Sequence, residues 1–278
     1  MAAGRLVLAV AAATVALQVA VAAPGAPGAA LQHSLREEDF IEDVGALAAR
    51  RKLAPWEVSG KFEGDIMLPP GVSAANLSAA NGLRHWRPRW PGGVVPYHID
   101  PVFSTAQRAV ITRALEEFHE KSCIRFRPFQ PSDRDFVYVS GEPTGCWAYV
   151  GRLNGGQLLN LQRNGCVHHG VVVHEFLHAL GFYHQQSATE RDDYVRVLWE
   201  NIEAGMEHNF DKYSESFITN YNTTYDFQSV MHYSATAFTK NGLPTLEALV
   251  PGVTTMGQYD GMTDIDIVKL QRMYGCMD

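Results

Sequence analysis

Residues 171–194, VVVHEFLHALGFYHQQSATERDDY, restrict this chain more than any other stretch. They contain His174, Glu175, His178, Gly181 and His184 in the pattern HExxHxxGxxH. An α-helix turns about 100° per residue, so His174 and His178 fall on one face, roughly 40° apart. Two imidazoles on successive turns can hold one zinc ion. Glu175 adjoins the first of them and can reach a water at the metal without binding the metal itself. A continued helix would carry His184 about 9 Å further on and round the cylinder, out of reach. Gly181 can adopt φ > 0, end the helix and turn the chain back, so that His184 approaches the same ion. Three histidines leave a fourth position open, the arrangement of a catalytic rather than a structural zinc. An amphipathic core helix with surface histidines accounts for neither Gly181 nor His184.

A pattern of this kind calls for a downstream Met-turn, and Ser229-Val230-Met231-His232-Tyr233 supplies one. At these residues the chain resembles the astacin family of metzincin metallopeptidases, whose Met-turn reads SxMHY and whose zinc region runs on into an RD pair and a Tyr. Arg191, Asp192 and Tyr194 match that continuation. The resemblance spans roughly Trp90 to Cys276, with a short motif upstream.

It implies an α+β fold with a two-lobed catalytic domain: an N-terminal sheet plus two helices, and an irregular C-terminal lobe ending in a helix. It also implies a zinc-dependent endopeptidase with one Zn2+ per chain, held by His174, His178 and His184, and Glu175 as general base. Tyr233 is implied to bind zinc in the resting enzyme and to swing out to stabilise the tetrahedral intermediate. Met231 is read as an apolar floor and His232 as a structural histidine. Gln185, Ala188 and Glu190 stand where the family commonly has Glu, Arg and Asp. None is a ligand, but that Glu normally pairs with the ammonium of the mature N-terminus, so Gln185 removes the partner.

The N-terminus places this chemistry in a compartment. Arg5, the apolar run Leu6 to Val21 and the small-residue site Ala20-Val21-Ala22 read as a signal peptide over residues 1–22, with a membrane anchor as the weaker alternative. No later segment is long and apolar enough to span a bilayer. A net charge of −7, from dispersed acidic residues, gives no basic footprint for nucleic acid. Secretion permits disulfides. The 4 cysteines, Cys123, Cys146, Cys166 and Cys276, allow three pairings, and spacing does not choose among them. The resemblance implies Cys123–Cys276 and Cys146–Cys166.

Residues 23–80 read as a pro-segment, opening with an Ala/Gly/Pro linker at 23–30. Within it, Phe62-Glu63-Gly64-Asp65 matches the FxGD motif whose Asp caps the zinc in astacin zymogens. A carboxylate can replace the catalytic water, and glycine beside it lets the backbone come close. Residues 81–278 are then the metallopeptidase domain. Ala80 occupies the place before the cut where the family commonly has Arg, which argues against trypsin-like activation there; Arg84 offers a competing site. Asn76 and Asn222 head N-x-S/T acceptors for glycosylation.

Ser104 to Glu120 reads as an amphipathic helix with a Ser104/Gln107 capping box. Residues 124–126, 136–140 and 157–161 read as strands, the last expected at the cleft edge, where the family adds substrate as an antiparallel strand. His168 and His169 read as loop residues, a terminal helix is capped near Thr263, and Asp264 and Asp266 are first-turn charges. The whole describes a secreted zymogen, expected to be a monomer, acting on protein or peptide substrates after cleavage by an activating protease. No EGF- or CUB-like module follows Cys276 to suggest a docking partner. The reading from another class is a non-catalytic extracellular binding or coat protein that keeps zinc for structure.

Overall fold

A computed structural model describes residues 44–51, 53–72, 89–215 and 218–276. The expected signal peptide, Asn76, and the expected boundary at Ala80 and Asn81 lie outside the described residues. Among those described, no helix is long and apolar enough to cross a membrane.

In chain order the elements are α1 (Val44–Arg51), β1 (Ile66–Met67), β2 (Val94–Ile99), α2 (Thr105–Lys121), β3 (Arg125–Pro128), β4 (Phe136–Ser140), β5 (Cys146–Tyr149), β6 (Gly156–Leu161), α3 (His169–Leu180), β7 (Val195–Val197), β8 (Leu246–Ala248) and α4 (Asp264–Tyr274). The main sheet has the order β1-β5-β6-β4-β2-β3. Its pairs are parallel except β5 with β6, which run antiparallel as a hairpin.

Local sequence sets the helix bounds. Ser104 caps α2: its hydroxyl accepts from the Gln107 amide at 3.3 Å while Gln107 Oε1 accepts from the Ser104 amide at 3.0 Å. These bonds satisfy donors that the first helical turn otherwise leaves bare. The stripe Ile111, Ala114, Leu115 and Phe118 is buried, and α2 packs against α3. Phe126 of β3 joins sheet to helices, its ring 5.3 Å from Phe118 and 4.9 Å from Phe176 in edge-on contacts. Burial of each such ring contributes about 1.5–3 kcal/mol. Thr263 caps α4, its hydroxyl accepting from the Asp266 amide.

Two buried clusters define two lobes. One gathers the sheet, α2, α3 and Met231. The other gathers Phe210, Tyr233, Phe238, Leu246 and their neighbours, in a largely irregular region braced by the β7–β8 ribbon. Both implied disulfides are formed. Cys123–Cys276 ties the end of α4 back to the segment after α2, and Cys146–Cys166 staples the base of the β5–β6 hairpin.

The strand at 157–161 is not at an edge. It forms part of β6, which is paired on both sides, by β4 and by β5. The hairpin carries Cys146–Tyr149 one position further out, and the N-terminal segment covers that strand in turn: Ile66 and Met67 pair with Ala148 and Tyr149.

Candidate metal centre

Helix α3 is buried along almost its whole length, and His174, Glu175 and His178 are within it. It stops at Gly181, which is left-handed at φ 115°, its amide bonded to the carbonyls of His178 and Leu177. Trp90 fixes the same end by donating its Nε1–H to Ala179 O at 2.9 Å, and the Tyr274 hydroxyl donates to Leu180 O at 2.8 Å. The turn returns His184 to its two partners. The three imidazole rings sit 4.8–5.3 Å apart, centre to centre.

Each ring is oriented from behind. His174 Nδ1–H donates to Val230 O at 2.7 Å, His178 Nδ1–H to Phe182 O at 2.8 Å, and His184 Nδ1–H to Glu63 Oε2 at 2.8 Å. A proton on every Nδ1 leaves every Nε2 lone pair aimed inward. The inward nitrogens meet one carboxylate: Asp65 Oδ2 lies 2.9 Å from His174 Nε2, and Asp65 Oδ1 lies 3.3 Å from both His178 Nε2 and His184 Nε2. All four residues are buried, and their ligand atoms fall within 4.8 Å of one another. His178 Nε2 and Asp65 Oδ1 have no hydrogen-bond partner among the described residues. Acceptor lone pairs do not face one another in a dry interior without a cation to share, so the donor set fits one zinc ion.

The electrostatics show that the centre favours positive charge beside Asp65. Burial opposes ionisation of Asp65, but the facing charges of His184, His178 and His174 outweigh it and hold its carboxyl well below the usual range. Burial pushes His174 down to about 4 despite Asp65. For His184, burial acts downward and is overcome by Asp65 and Glu63, which raise it to about 9. Glu175 is fully buried, and both of its carboxylate oxygens lack a partner among the described residues. Burial first, and the charge of Asp65 second, push its carboxyl well above the ordinary range.

The N-terminal segment does more at this centre than the FxGD motif announces. Gly64, at φ 88°, passes so close to Trp56 and Phe238 that a Cβ would come within 3.0 Å of Trp56 O. Glu63 is itself left-handed at φ 47°, a conformation that non-glycine residues keep only when neighbours impose it. Its amide donates to Asn209 Oδ1 and its carbonyl accepts from the Tyr233 hydroxyl at 2.7 Å. Its carboxylate accepts from Tyr213 as well as His184. Trp56 stacks on the His174 ring at 4.2 Å, and Glu57 accepts from Ser234 N and Oγ.

Tyr233 therefore stands beside the centre, its ring 4.8 Å from His184, but its hydroxyl is engaged by Glu63. In this state the fourth inward group is Asp65, not the tyrosine hydroxyl expected for the resting enzyme. Met231 is buried in the first lobe's core. His232 is structural: Nδ1–H donates to Tyr233 O and Nε2 accepts from the Tyr225 hydroxyl, each at 2.7 Å.

Two expectations change, and a third gains a partner. Asp266 is in the first turn of α4, as expected. It is buried, and it accepts from Ser229 Oγ at 2.6 Å and Val230 N at 3.1 Å, bracing the Met-turn behind His174. His169 is not in a loop; it opens α3 with Nε2 against Glu117 Oε2, and His168 is the capping residue. Gln185 Oε1 is occupied, accepting from the Lys269 ammonium. Asn222 is exposed in a turn, as a glycan acceptor requires. Sequence reasoning missed Glu63, Glu57, Asn209, Tyr213 and Lys269. Glu63 lies inside the recognised motif; the others carry no local signal.

Fold and centre together define a two-lobed protein with, among the described residues, one three-histidine metal centre beside a Met-turn. The family model Astacin (Peptidase family M12A) matches residues 83–275. Zinc metalloproteinase nas-13 of Caenorhabditis elegans is 41% identical over 230 residues, covering 78% of this chain and 50% of that protein. Low choriolytic enzyme of Oryzias latipes is 36% identical over 243 residues, covering 86% of each. The solved structure of high choriolytic enzyme 1, a hatching enzyme zinc-protease from Oryzias latipes, superposes with a TM-score of 0.63 at 37% identity, covering 69% of this chain and 94% of that one. The chain belongs to the astacin family. It spans between 40% and 61% of the length of the nematode relatives nas-7, nas-13 and nas-15.

Proposed function

We propose that this chain is the zymogen of a secreted zinc endopeptidase, with residues 1–22 as signal peptide, 23–80 as pro-segment and 81–278 as the catalytic domain. One observation carries the reading: three Nε2 lone pairs and the Asp65 carboxylate converge beside a buried glutamate whose two oxygens bond to nothing described. Bound zinc supplies a Lewis acid and lowers the pKa of water to about 7. Glu175 takes the proton from the attacking water and passes it to the leaving amine. His174, His178 and His184 hold the metal as neutral rings, each kept in register by its Nδ1 acceptor. The Tyr233 hydroxyl, once released from Glu63 O, donates to the oxyanion of the tetrahedral intermediate. The pro-segment holds the centre shut by setting Asp65 against the histidines and Glu63 against Tyr233, and removing it takes an activating protease. Two disulfides support a secreted setting.

The competing reading, a binding protein with structural zinc, leaves the buried and unpartnered Glu175 without a purpose. Activated protein incubated with denatured casein should cleave it, and a chelator should stop the cleavage. No cleavage by zinc-loaded, activated protein would overturn the endopeptidase reading.

Tyr233→Phe tests the intermediate. The hydroxyl is used chiefly in the transition state, so kcat should fall by up to about 10²-fold with KM nearly unchanged. A rise in KM with intact kcat would make Tyr233 a substrate-binding residue instead.

A further inference from the structure

The terminal helix α4 reaches the metal centre from behind through a buried amine. Lys269 is 7% exposed, and its Nζ donates to the side-chain oxygen of Gln185, the residue after His184. One turn earlier on the same helix, Asp266 accepts from Ser229 Oγ and Val230 N, and Val230 O is the acceptor for His174 Nδ1. The Gln185 amide donates to Met231 O at 2.8 Å and closes the circuit. Two successive turns of α4 thus hold the backing of His174 and the loop of His184. Cys276, just past the end of this helix, is tied to Cys123, which anchors it to the first lobe.

Lys269 is an expensive residue for such a place. Burial pulls its pKa down, against the charges of Asp266, Asp226 and Glu190. Taking an ammonium out of water costs several kcal/mol, and an apolar side chain at 269 would fill the site without that cost. What an apolar side chain could not do is fix the Gln185 amide. Groups behind a metal ligand hold it in the geometry the ion requires, and their loss typically weakens metal binding or activity about 10- to 100-fold.

We propose that Lys269 is a positioning residue for the third metal ligand: through Gln185 it locks the His184 loop onto the Met-turn and fixes the His184 imidazole against His174 and His178. The proposal rests on the metallopeptidase reading, and its test separates the two.

Full-length, zinc-loaded precursors carrying Lys269→Met, Gln185→Leu, or both would be compared with wild type in zinc release to a chelating dye. They would also be compared in melting temperature and, after cleavage at a protease site engineered before Asn81, in kcat and KM. Each single change should speed zinc release about tenfold or more and lower kcat by a similar factor, with KM within about twofold. Because the two residues act as a unit, the double variant should be no worse than the poorer single. A Lys269→Met chain that melts with wild type and keeps zinc release and kcat within about twofold would overturn the proposal, as would single effects that multiply. Should Lys269→Met fail to fold, Gln185→Leu leaves α4 untouched, and unchanged zinc release in that variant overturns it equally. Failure of the metallopeptidase reading looks different: no form, wild type included, cleaves peptide, while zinc release still answers to Lys269.

Discussion

Glu175→Gln is expected to leave the zinc content of the chain intact and to lower kcat of the activated enzyme by about 10²- to 10⁴-fold, the range for loss of general acid–base catalysis. The amide keeps the size of the carboxylate and touches no metal ligand's Nδ1 partner. It removes the proton acceptor. In the precursor this carboxyl is raised first by burial and second by the Asp65 charge. On the proposed zymogen reading, loss of the pro-segment would remove the Asp65 charge and open the cleft, so both causes would weaken and the base would ionise more readily. The comparison needs zinc analysis and steady-state kinetics on the same preparations. Turnover within about tenfold of wild type in fully zinc-loaded variant would remove Glu175 from the proton path.

Asp65→Ala is expected to turn a silent precursor into an active one without any cleavage. Removing one member of a buried, charge-paired cluster costs about 3–5 kcal/mol. That is about 10²- to 4 × 10³-fold in the balance between covered and open cleft, at about 1.4 kcal/mol per tenfold. Peptidase activity of the uncut variant should therefore exceed that of the uncut wild type by about that factor, or the chain should process itself during expression. The assay is peptide hydrolysis alongside gel analysis of chain length. A variant that stays whole and silent would assign latency to Trp56, Glu57 and Glu63, which cover the centre without facing its middle.

What the sequence made legible was chemistry carried by short, local patterns. The spacing of His174, His178 and His184 around Gly181 placed three ligands, and the caps at Ser104 and Thr263 placed two helix starts. The strand readings at 136–140 and 157–161 placed β4 and β6. Strand order was not legible, because periodicity says which face a residue takes and nothing about which neighbour it pairs with. Hence the strand at 157–161 was expected at an edge, whereas β5 lies outside it and β1 outside β5. Asp266 showed the same limit: read as a first-turn charge of its own helix, it also holds Ser229, 37 residues away. Gln185 read as a lost charge partner because the amine that meets it comes from a helix 84 residues downstream. Glu63 needed a left-handed backbone that its side chain does not advertise.

The parallel pairing of β1 with β5 has a consequence for survival beside a protease. The family resemblance set an antiparallel substrate on the strand at 157–161, but β5 lies outside that strand; a substrate adding antiparallel to β5 instead would present its peptide groups in one polarity. The segment at Ile66 and Met67 crosses the same rail in the other direction, so carbonyl and amide are exchanged along the path to the centre. On the proposed zymogen reading, a chain lying backwards would set its carbonyls where a substrate sets its amides, whatever its side chains. Resistance to digestion would then lie in direction rather than in composition. The reversed strand also caps an otherwise open sheet edge, so its departure would at once free the centre and bare the rail on which the next peptide lies the right way round.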